Sequence, residues 1–528
     1  MILVRNIKLL PKEDEARLKV KAAKKLRVKP ELIKSIKYIK KSLDARRKED
    51  IHYVCTIAVK VDAPEEKVIK LAKSADVAKY QPIAYDIPSV ENAESPIVVG
   101  FGPAGIFAAL VLAKAGARPI VIERGHEALV RKACVENFKA SGRLDPSCNI
   151  QFGEGGAGTF SDGKLNTGVK DRRMEWMFSQ FVEHGAPENI AYDAKPHIGT
   201  DILIDVVQNI RKKIISLGGQ LHFATKLERL IIENGEIKGV EVSDKHGDLS
   251  QIPCSKVILA LGHSARDSFE MLHNQGVPME PKAFSMGVRI EHLQKDINFV
   301  QYGEACEALP AADYSLNVHL PDGTSAYSFC MCPGGHVIAA ASELQGVVTN
   351  GMSYSKRDNV NANSALLVTL NVEDFPGEGV LAGMYWQREI EQTAFVKAGG
   401  NYHAPAQLVG DFLAGKASTG PASVSPSYEP GVTWCDLHDV LPERITSVLE
   451  NAIPELGKKL PGFDNADAVM TAPETRSSSP VRILRDDNLR SEIGGLYPCG
   501  EGAGYAGGIS SAALDGMRCA EAVLRDML

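Results

Sequence analysis

Three glycines near residue 100 have the spacing of a phosphate-binding turn. Gly100, Gly102 and Gly105 form the pattern GxGxxG, and they follow an apolar run at residues 97–99. Gly100 permits a sharp turn, Gly102 lets the backbone approach a pyrophosphate, and Gly105 lets a helix pack closely on a sheet. The N–H groups at the start of that helix would bind phosphate. The pattern therefore predicts binding of a dinucleotide.

An acid lies at the distance from this turn that suits a contact with ribose. Glu123 ends a second apolar run and comes 23 residues after Gly100. A carboxylate there can accept hydrogen bonds from ribose hydroxyls. The uncharged stretch 97–113 has 17 residues, but the glycines and proline at its start argue against a membrane span. We interpret residues 97–123 as strand, turn, helix and strand.

A second glycine-rich segment carries the candidates for chemistry. Five glycines lie between residues 153 and 163, which predicts a loop that wraps a ligand or, alternatively, a flexible surface loop. Asp162 and Lys164 could orient a substrate or a proton donor there; the alternative is ordinary solvation. His197, before a predicted helix, is a candidate acid or base, or otherwise a loop histidine. Asp162, Lys164 and His197 are the catalytic candidates.

Two further sets of residues allow either a chemical or a structural role. Arg476 and Arg482 could bind an anion or form surface ion pairs. Cys330 and Cys332 point the same way in an extended strand but lie too far apart for easy bridging. Because an apolar setting raises a thiol pKa, we interpret them as buried structural thiols, with a redox role as the alternative.

Cysteine usage and charge limit which other classes of protein the chain can belong to. The 10 cysteines contain no CxxC pair and no Cys/His cluster at zinc spacing, so we predict neither a disulfide framework nor a metal site. A reducing cytoplasm is the simplest compartment. Residues 1–50 hold 17 Lys+Arg and 7 Asp+Glu, although the whole chain has a net charge of −6. A basic segment can bind nucleic acid, but we interpret this one as a solvated face.

The chain length of 528 residues predicts two to four domains. The order β-α-β-β-α predicts a ferredoxin-like α+β domain over residues 1–90, followed by a linker at 82–96. A helix is expected over 200–220, strands over 221–227 and 238–243, and a buried strand over 256–264. We predict an α/β protein with a Rossmann-like dinucleotide-binding domain over 95–280 and 461–528. An antiparallel α+β substrate domain over 281–460 is inserted into it.

Several segments together resemble a known family. They are residues 153–164, 328–335, 474–482 and the C-terminal glycine segment 494–516. In this order, after the GxGxxG turn, they resemble the two-dinucleotide-binding-domain flavoproteins. The chain is most similar to bacterial proteins loosely labelled FAD-dependent or NAD(FAD)-utilising dehydrogenases.

The resemblance implies a non-covalent FAD. The glycines of the first turn would hold its pyrophosphate, Glu123 its adenosine ribose, and the Leu227 backbone its adenine. Glu501 would contact the ribityl or pyrophosphate portion, and the start of the last helix would lie beneath the flavin pyrimidine and stabilise negative charge there. The cofactor residues so implied are Gly100, Gly102, Pro103, Ala104, Gly105, Glu123, Arg124, Gly156, Gly158, Thr159, Leu227, Gly262, Gly500, Glu501, Gly507, Gly508 and Ile509.

Two missing motifs qualify the resemblance. Disulfide reductases of this superfamily carry a CxxxxC pair, whereas Cys134 and Cys148 have thirteen residues between them. No second GxGxxG for NAD(P)H lies in residues 165–480, so NAD(P)H would donate electrons without a dedicated domain. The expected activity is hydride transfer between a small-molecule substrate and FAD. The alternatives are a flavoprotein that acts on RNA and an FAD-bound scaffold.

Overall fold

The structure is a computed structural model in which residues 1–91 and 94–528 are described. A four-stranded, a five-stranded and a seven-stranded sheet each form the centre of one packing unit. Residues 92 and 93, inside the predicted linker 82–96, lie outside the described residues. The described part of that linker contains no helix or strand.

The N-terminal unit has the β-α-β-β-α-β order of a ferredoxin-like plait, as predicted. Its elements are β1 (Ile2–Leu9), α1 (Glu15–Leu26), β2 (Ile33–Asp44), β3 (His52–Val61), α2 (Glu65–Ala72) and β4 (Val77–Lys79). The strands are antiparallel in the order β2-β3-β1-β4. Asp14 caps α1 by accepting a hydrogen bond from the Arg17 N–H at 3.1 Å. The sequence does not predict β4, because three residues are too few to show alternation.

The dinucleotide-binding unit follows. Its first part consists of β5 (Ile97–Val99), α3 (Pro103–Lys114), β6 (Ile120–Ile122), α4 (Ala128–Ser141), α5 (Met174–Glu183), α6 (Thr200–Ser216), β7 (Gln220–His222), β8 (Lys226–Glu233), β9 (Glu236–Ser243), β10 (Leu249–Pro253), β11 (Val257–Leu259) and α7 (Arg266–Asn274). The short strands β5 and β11 are apolar and fully buried, as expected for a parallel sheet covered on both faces.

The second unit, which is inserted into the dinucleotide-binding unit, is built on a seven-stranded and mostly antiparallel sheet. Its elements are β12 (Met279–Pro281), β13 (Phe284–Leu293), α8 (Gln294–Tyr302), β14 (Asn317–His319), β15 (Ser325–Cys332), β16 (His336–Ala339), β17 (Thr349–Met352), β18 (Asn361–Leu370), α9 (Ala382–Lys397), β19 (Ala404–Leu408), α10 (Val409–Leu413), β20 (Val432–Trp434), α11 (Glu443–Lys459), β21 (Val469–Glu474) and β22 (Val481–Ile483). The sheet order is β14-β15-β18-β13-β21-β19-β20.

The second unit extends beyond the predicted boundary at residue 460. Strand β21 pairs with β13 on one side and with β19 on the other, so it belongs to the middle of this sheet. The chain then returns through β22, which pairs with β12. The predicted boundary at residue 460 is too early, because the residues near it in the chain do not reveal that β21 pairs with β13 and β19.

The chain ends in β23 (Leu496–Pro498) and α12 (Ile509–Arg525). Strand β23 completes a parallel sheet in the order β23-β11-β5-β6-β7. Helix α12 packs on α3, and a side chain at Gly516 would approach the Ala104 carbonyl oxygen to 2.1 Å. The absence of a side chain there lets the two helices start close together at one edge of the sheet.

Two predicted elements differ in the structure. The expected strand 221–227 is interrupted at Ala224, whose φ of +49° ends β7 and sends the chain into the three-stranded sheet of β8, β9 and β10. The helix expected within 200–220, with its end predicted at Gly218 and Gly219, ends slightly earlier at Ser216, and the backbone of Gly218 has φ of +91°.

One covalent cross-link also differs from expectation. Cys134 and Cys148 form a disulfide with Cα atoms 5.9 Å apart, a pairing that the sequence did not predict. Because α4 ends between the two cysteines, the chain turns back and brings them together. Among the described residues, no helix combines the length and the apolar character needed to cross a bilayer.

Candidate functional site

A cavity of about 360 Å³ lies at the carboxyl ends of the parallel strands. It is lined by the ends of β5 and β6, the segment after β11, the starts of α3 and α12, and residues of β15 and β21. Ligands of open α/β sheets bind at this edge. The predicted residues that line it are Gly100, Gly102, Pro103, Ala104, Glu123, Arg124, Gly156, Gly158, Asp162, Lys164, Leu227, Gly262, Glu501, Gly507, Gly508 and Ile509.

Gly102 leaves an open cradle at the start of α3. It is the N-cap residue of this helix, and no side chain caps the helix there. A Cβ added at Gly102 would contact only the Gly156 Cα, at 3.8 Å, so it would project into open space beside the cavity lining. The backbone N–H groups of α3 are thus available to a bound phosphate.

Helix α12 also begins at the cavity, and its first backbone N–H groups are also left without a side-chain cap. Gly508 is its N-cap and also has no side-chain cap. Nothing lies within 4 Å of a Cβ added at Gly507 or Gly508, and both residues line the cavity with Ile509. Two helix starts at one cavity provide two positions for negative charge, and this arrangement fits FAD.

Glu123 ties together the loops around the cavity. One carboxylate oxygen accepts a hydrogen bond from the Phe101 N–H at 2.7 Å. The other accepts from the N–H groups of Gly125 at 2.8 Å and Gly153 at 2.9 Å. An ionised carboxylate has about four acceptor positions, so it can still accept a bond from a ligand hydroxyl.

The glycine-rich loop is held by a buried arginine that the sequence did not single out. The Arg131 guanidinium donates to the carbonyl oxygens of Asn149 at 3.2 Å, Ile150 at 2.9 Å and Gly156 at 3.1 Å. Complete burial lowers the pKa of Arg131 to about 10. Nothing in the local sequence pattern distinguishes this arginine from a surface residue of α4.

The three catalytic candidates lie together, but only two reach the cavity. Asp162 and Lys164 line it, and the Asp162 carboxylate pairs with Arg357 at 3.0 Å and lies 3.9 Å from the Lys164 Nζ. His197 does not line the cavity; its Nε2 donates to the Ser355 carbonyl at 3.2 Å. Burial, and then the Arg357 charge, lower the pKa of His197. The residue pairs with Lys164 in an isolated β-bridge, behind the lining.

Three predicted cofactor residues also support the wall instead of lining it. A Cβ at Gly105 would approach the Gly100 carbonyl oxygen to 1.9 Å, so its role is close packing of α3 on β5. The Thr159 hydroxyl donates to the Glu154 carbonyl at 3.2 Å within the glycine-rich loop. The Gly500 N–H donates to a buried carboxylate of α12 at 2.8 Å.

Glu501 has a partner that the sequence did not suggest. Its carboxylate lies 3.0 Å from Nδ1 of His263, which also lines the cavity. The Nε2 atom of His263 is buried without a hydrogen-bond partner, as expected of a group that faces a ligand. Because His263 follows the end of β11, its position at the carboxyl edge of the sheet could have identified it.

The two arginines considered as anion ligands are already paired. Arg476 lines the cavity, but its guanidinium contacts the Glu391 carboxylate at 2.7 Å and the Ser264 hydroxyl at 3.0 Å. Arg482 pairs with Glu280 at 3.1 Å and does not line the cavity. Both arginines therefore hold parts of the protein together.

A group of thiols and charges lines the side of the cavity that belongs to the second unit. Cys330 and Glu474 both line it, and the buried Arg289 lies behind them. Arg289 Nη1 is 3.5 Å from the Glu474 carboxylate, and Nη2 is 3.6 Å from the Cys332 sulfur. The sequence-based expectation that Cys330 has only apolar surroundings is wrong, because Arg289 is brought to it by the pairing of strands.

One buried cluster has the ligand types of a metal site. The ligand atoms of Cys499, Asp515 and Cys519 lie within 4.8 Å of one another. The Arg485 guanidinium already pairs with the Asp515 carboxylate at 2.7 Å. A guanidinium supplies the positive charge there, and the geometry gives no reason to place a cation.

Two solved structures are distantly similar to this chain. A flavin-dependent brominase, Bmp2, is 14% identical over 82% of this chain and 80% of its own, with a TM-score of 0.38. The glycerol-3-phosphate dehydrogenase from Bacillus halodurans complexed with FAD is 11% identical over 83% of this chain and 65% of its own, with a TM-score of 0.37. These scores are too low to carry an argument about activity.

Sequence comparisons are more specific. Residues 283–477 match the family model described as "FAD-dependent protein, C-terminal domain-like", and residues 1–60 match a model described as a domain of unknown function. An uncharacterized protein of Clostridium beijerinckii is 46% identical over 534 residues, which cover 99% of this chain and 98% of that protein. The chain therefore belongs to the same family as the Clostridium beijerinckii protein, and it is a flavoprotein whose cofactor is FAD.

Proposed function

We propose that this flavoprotein is an oxidoreductase that transfers a hydride between a small organic substrate and non-covalently bound FAD. One observation carries the proposal. Helices α3 and α12 both begin at the same cavity, and each has a glycine N-cap and no side-chain cap. When bound, FAD supplies two-electron hydride chemistry. The protein supplies binding groups, orientation and electrostatic stabilisation.

The cavity residues divide between the two ends of the cofactor. The turn of Gly100 and Gly102 would hold the pyrophosphate at the start of α3. Glu123 would accept a hydrogen bond from the adenosine ribose, and Leu227 at the start of β8 would contact adenine through its backbone. Glu501, oriented by its contact with His263 at 3.0 Å, would bind the middle of the cofactor. The start of α12 would lie beneath the flavin ring.

Asp162 and Lys164 are the residues that we propose for the substrate. Both line the cavity, and the ammonium group of Lys164 is held near the buried Asp162 carboxylate. Lys164 would donate a hydrogen bond to a substrate oxygen, and Asp162 would keep it oriented. We assign His197 a positioning role through the backbone of Lys164, since it does not line the cavity.

The finer assignment, to the NAD(FAD)-utilising dehydrogenases, is also a proposal. The resemblance of residues 153–164 and 474–482 supports it. NAD(P)H would reach the cavity directly, because residues 165–480 contain no second GxGxxG that could form a separate binding domain for it.

The test begins with the purified protein. Its absorption spectrum should be that of a flavin, and mild heat should release FAD that is identified by chromatography. Anaerobic stopped-flow mixing with NADH and with NADPH, followed by a screen of acceptors, then measures turnover. Release of NAD, or of no cofactor, would contradict the cofactor assignment. Bound FAD that no donor or acceptor changes would instead favour a scaffold.

A further inference from the structure

An ion pair and a second cation lie side by side in the cavity wall. The Asp162 side chain is 1% exposed, and the Arg357 guanidinium donates to both of its carboxylate oxygens, from Nε to Oδ1 at 3.0 Å. The Nζ atom of Lys164 is 3.9 Å from Asp162 Oδ2, which is beyond hydrogen-bonding distance. Asp162 and Lys164 line the cavity, whereas Arg357 does not.

These three groups carry one net positive charge. The two-fold contact with Arg357 neutralises the single negative charge of Asp162, so the charge of Lys164 is left over. In the described part of the chain, no other acid lies within 4.0 Å of the Lys164 ammonium group. Burial, and then the Arg357 charge, lower the pKa of the nearby His197, so this side chain adds no charge at neutral pH.

The other acids of the cavity lining do not cancel this charge. On the wall formed by the second unit, the Glu474 carboxylate lies 3.5 Å from Arg289 Nη1, and burial raises its pKa to about 7. That wall therefore contributes no net negative charge. The remaining acids, Glu123 and Glu501, are the ones proposed above to bind the cofactor. A group that enters the cavity beside Lys164 thus meets a positive charge.

The second unit fixes this arrangement. Arg357 belongs to the segment between β17 and β18. The Ser355 N–H in the same segment donates to the Asp201 carboxylate at 2.8 Å, and the Ser355 carbonyl accepts from Nε2 of His197 at 3.2 Å. These contacts hold the segment on the dinucleotide-binding unit, so the pair of Arg357 with Asp162 is a built part of the wall.

We propose that Lys164 binds a carboxylate group of the substrate, and that Arg357 makes this possible because it neutralises Asp162. The proposal rests on the proposed hydride transfer and deepens it, since it identifies the substrate class as small organic acids. A carboxylate has one negative charge and so matches the single net charge, whereas a phosphate monoester carries more than one at neutral pH. Lys164 is a binding residue, and Arg357 is a positioning residue.

Equilibrium binding to the FAD-bound protein tests the proposal. Two carboxylates, acetate and benzoate, are compared with their neutral amides, acetamide and benzamide, by isothermal titration calorimetry at pH 7 and low salt. We expect benzoate to bind at least about tenfold more tightly than benzamide, because a hydrogen bond between charged groups is stronger than one to a neutral group. Acetate should exceed acetamide in the same way.

Substitutions of the three charged groups identify the cause of the preference. Lys164→Met and Arg357→Met each remove the net positive charge, so each should weaken benzoate binding at least about tenfold and leave benzamide binding unchanged. In the double variant Asp162→Asn/Arg357→Met, only Lys164 keeps a charge, and benzoate binding should return. A loss caused by altered packing at Arg357 would not be rescued in this way.

Lys170→Met is the matched control for the loss of one lysine charge. Lys170 is exposed and does not line the cavity, so this variant should bind benzoate like the wild type. The retained flavin spectrum reports that each variant is folded. If Arg357→Met alone loses FAD, the double variant and Lys164→Met still decide the question, because only the first of these two should bind benzoate.

Several results would overturn the proposal. They are equal binding of benzoate and benzamide by the wild type, no return of benzoate binding in the double variant, and tighter binding of inorganic phosphate than of benzoate. Loss of FAD from a folded Lys164→Met protein would also overturn it and assign Lys164 to the cofactor. Failure of the proposed hydride transfer would be recognised separately, as a bound flavin that no donor or acceptor changes.

Discussion

At the scale of single residues, Glu123 has two tasks. Its carboxylate accepts hydrogen bonds from three backbone N–H groups in three different segments. It is therefore a structural clamp as well as the proposed ribose ligand. The loss of this side chain would leave buried donors unpaired, which costs about 1–3 kcal/mol for each affected group.

Glu123→Ala should consequently lower both the stability of the protein and its affinity for FAD. We expect FAD binding to weaken by about 1–3 kcal/mol. Thermal unfolding of the FAD-free protein measures how much Glu123 stabilises the fold, and titration with FAD measures how much it contributes to FAD affinity. A lower melting temperature with unchanged FAD affinity would show that Glu123 stabilises the fold but does not bind the ribose.

Glu474 should make stability fall as the pH rises. Its pKa is raised to about 7 in the folded protein, whereas a glutamate in an unfolded chain titrates near about 4.3. Between these values the folded state retains a proton that the unfolded state has released, so the free energy of unfolding decreases with pH. Glu474→Gln removes this dependence. The free energy of unfolding of the variant, measured relative to that of the wild type, should rise by about 1–3 kcal/mol between about pH 5 and about pH 8.

Urea unfolding at these two pH values provides the measurement. The comparison depends on the change with pH, so an effect of the substitution that is the same at both pH values, such as altered packing, does not affect it. If the free energies of unfolding of variant and wild type differ by the same amount at both pH values, the raised pKa of Glu474 is contradicted.

At the scale of elements, the cavity depends on where α3 and α12 begin. A side chain at Gly105 would collide with the backbone of the preceding turn, and one at Gly516 would collide with α3 itself. At the cavity, by contrast, glycines leave space that nothing in the protein fills. Glycine thus has opposite uses in the same two helices: close packing behind the site and an open surface within it.

Gly102→Val should abolish FAD retention while the protein still folds. The backbone at Gly102 has φ of −78°, which valine adopts, and a Cβ there meets only the Gly156 Cα at 3.8 Å. The new side chain would occupy the place of the pyrophosphate. The flavin absorbance of the purified variant and its circular dichroism spectrum measure the two effects.

Gly168→Val is the matched control for that experiment. Gly168 is exposed, and nothing lies within 4 Å of an added Cβ. It does not line the cavity, so its variant should retain FAD. A Gly102→Val protein that binds FAD like the control would show that the pyrophosphate lies elsewhere.

At the scale of the whole molecule, the N-terminal unit packs against the dinucleotide-binding unit away from the cavity. The Lys41 N–H donates to the Tyr192 carbonyl at 2.7 Å, and the rings of Tyr38 and Tyr192 stack with centroids 4.8 Å apart. None of the described residues in 1–90 lines the cavity. The unit therefore has no direct part in the proposed chemistry.

The basic N-terminal unit should not bind RNA strongly. Its lysines are partly neutralised by nearby acids: Lys25 lies 2.6 Å from Asp76, and Lys34 lies 2.8 Å from Asp62. We expect no shift of transfer RNA in a gel assay at low salt. Binding that falls steeply as salt rises would contradict this expectation and restore an RNA-directed function.

The sequence by itself determined the local pieces. The spacing of Gly100, Gly102 and Gly105 after an apolar run predicted a turn and helix start, and these lie where expected. The N-terminal plait was predicted from the same kind of local signal, whereas the position of the start of α12 was implied by the family resemblance. Helix, strand and turn signals depend on residues close together in the chain, so a single sequence contains them.

Only the tertiary structure decided which distant residues meet. Cys330, Arg289 and Glu474 come from β15, β13 and β21, and strand pairing places them at one wall of the cavity. Strand pairing also places β21 in the second unit, which therefore extends beyond residue 460. Periodicity within a strand reports how its two faces are buried, but not which strand lies beside it. The charges around a thiol or a carboxyl, and hence its pKa, depend on those neighbours.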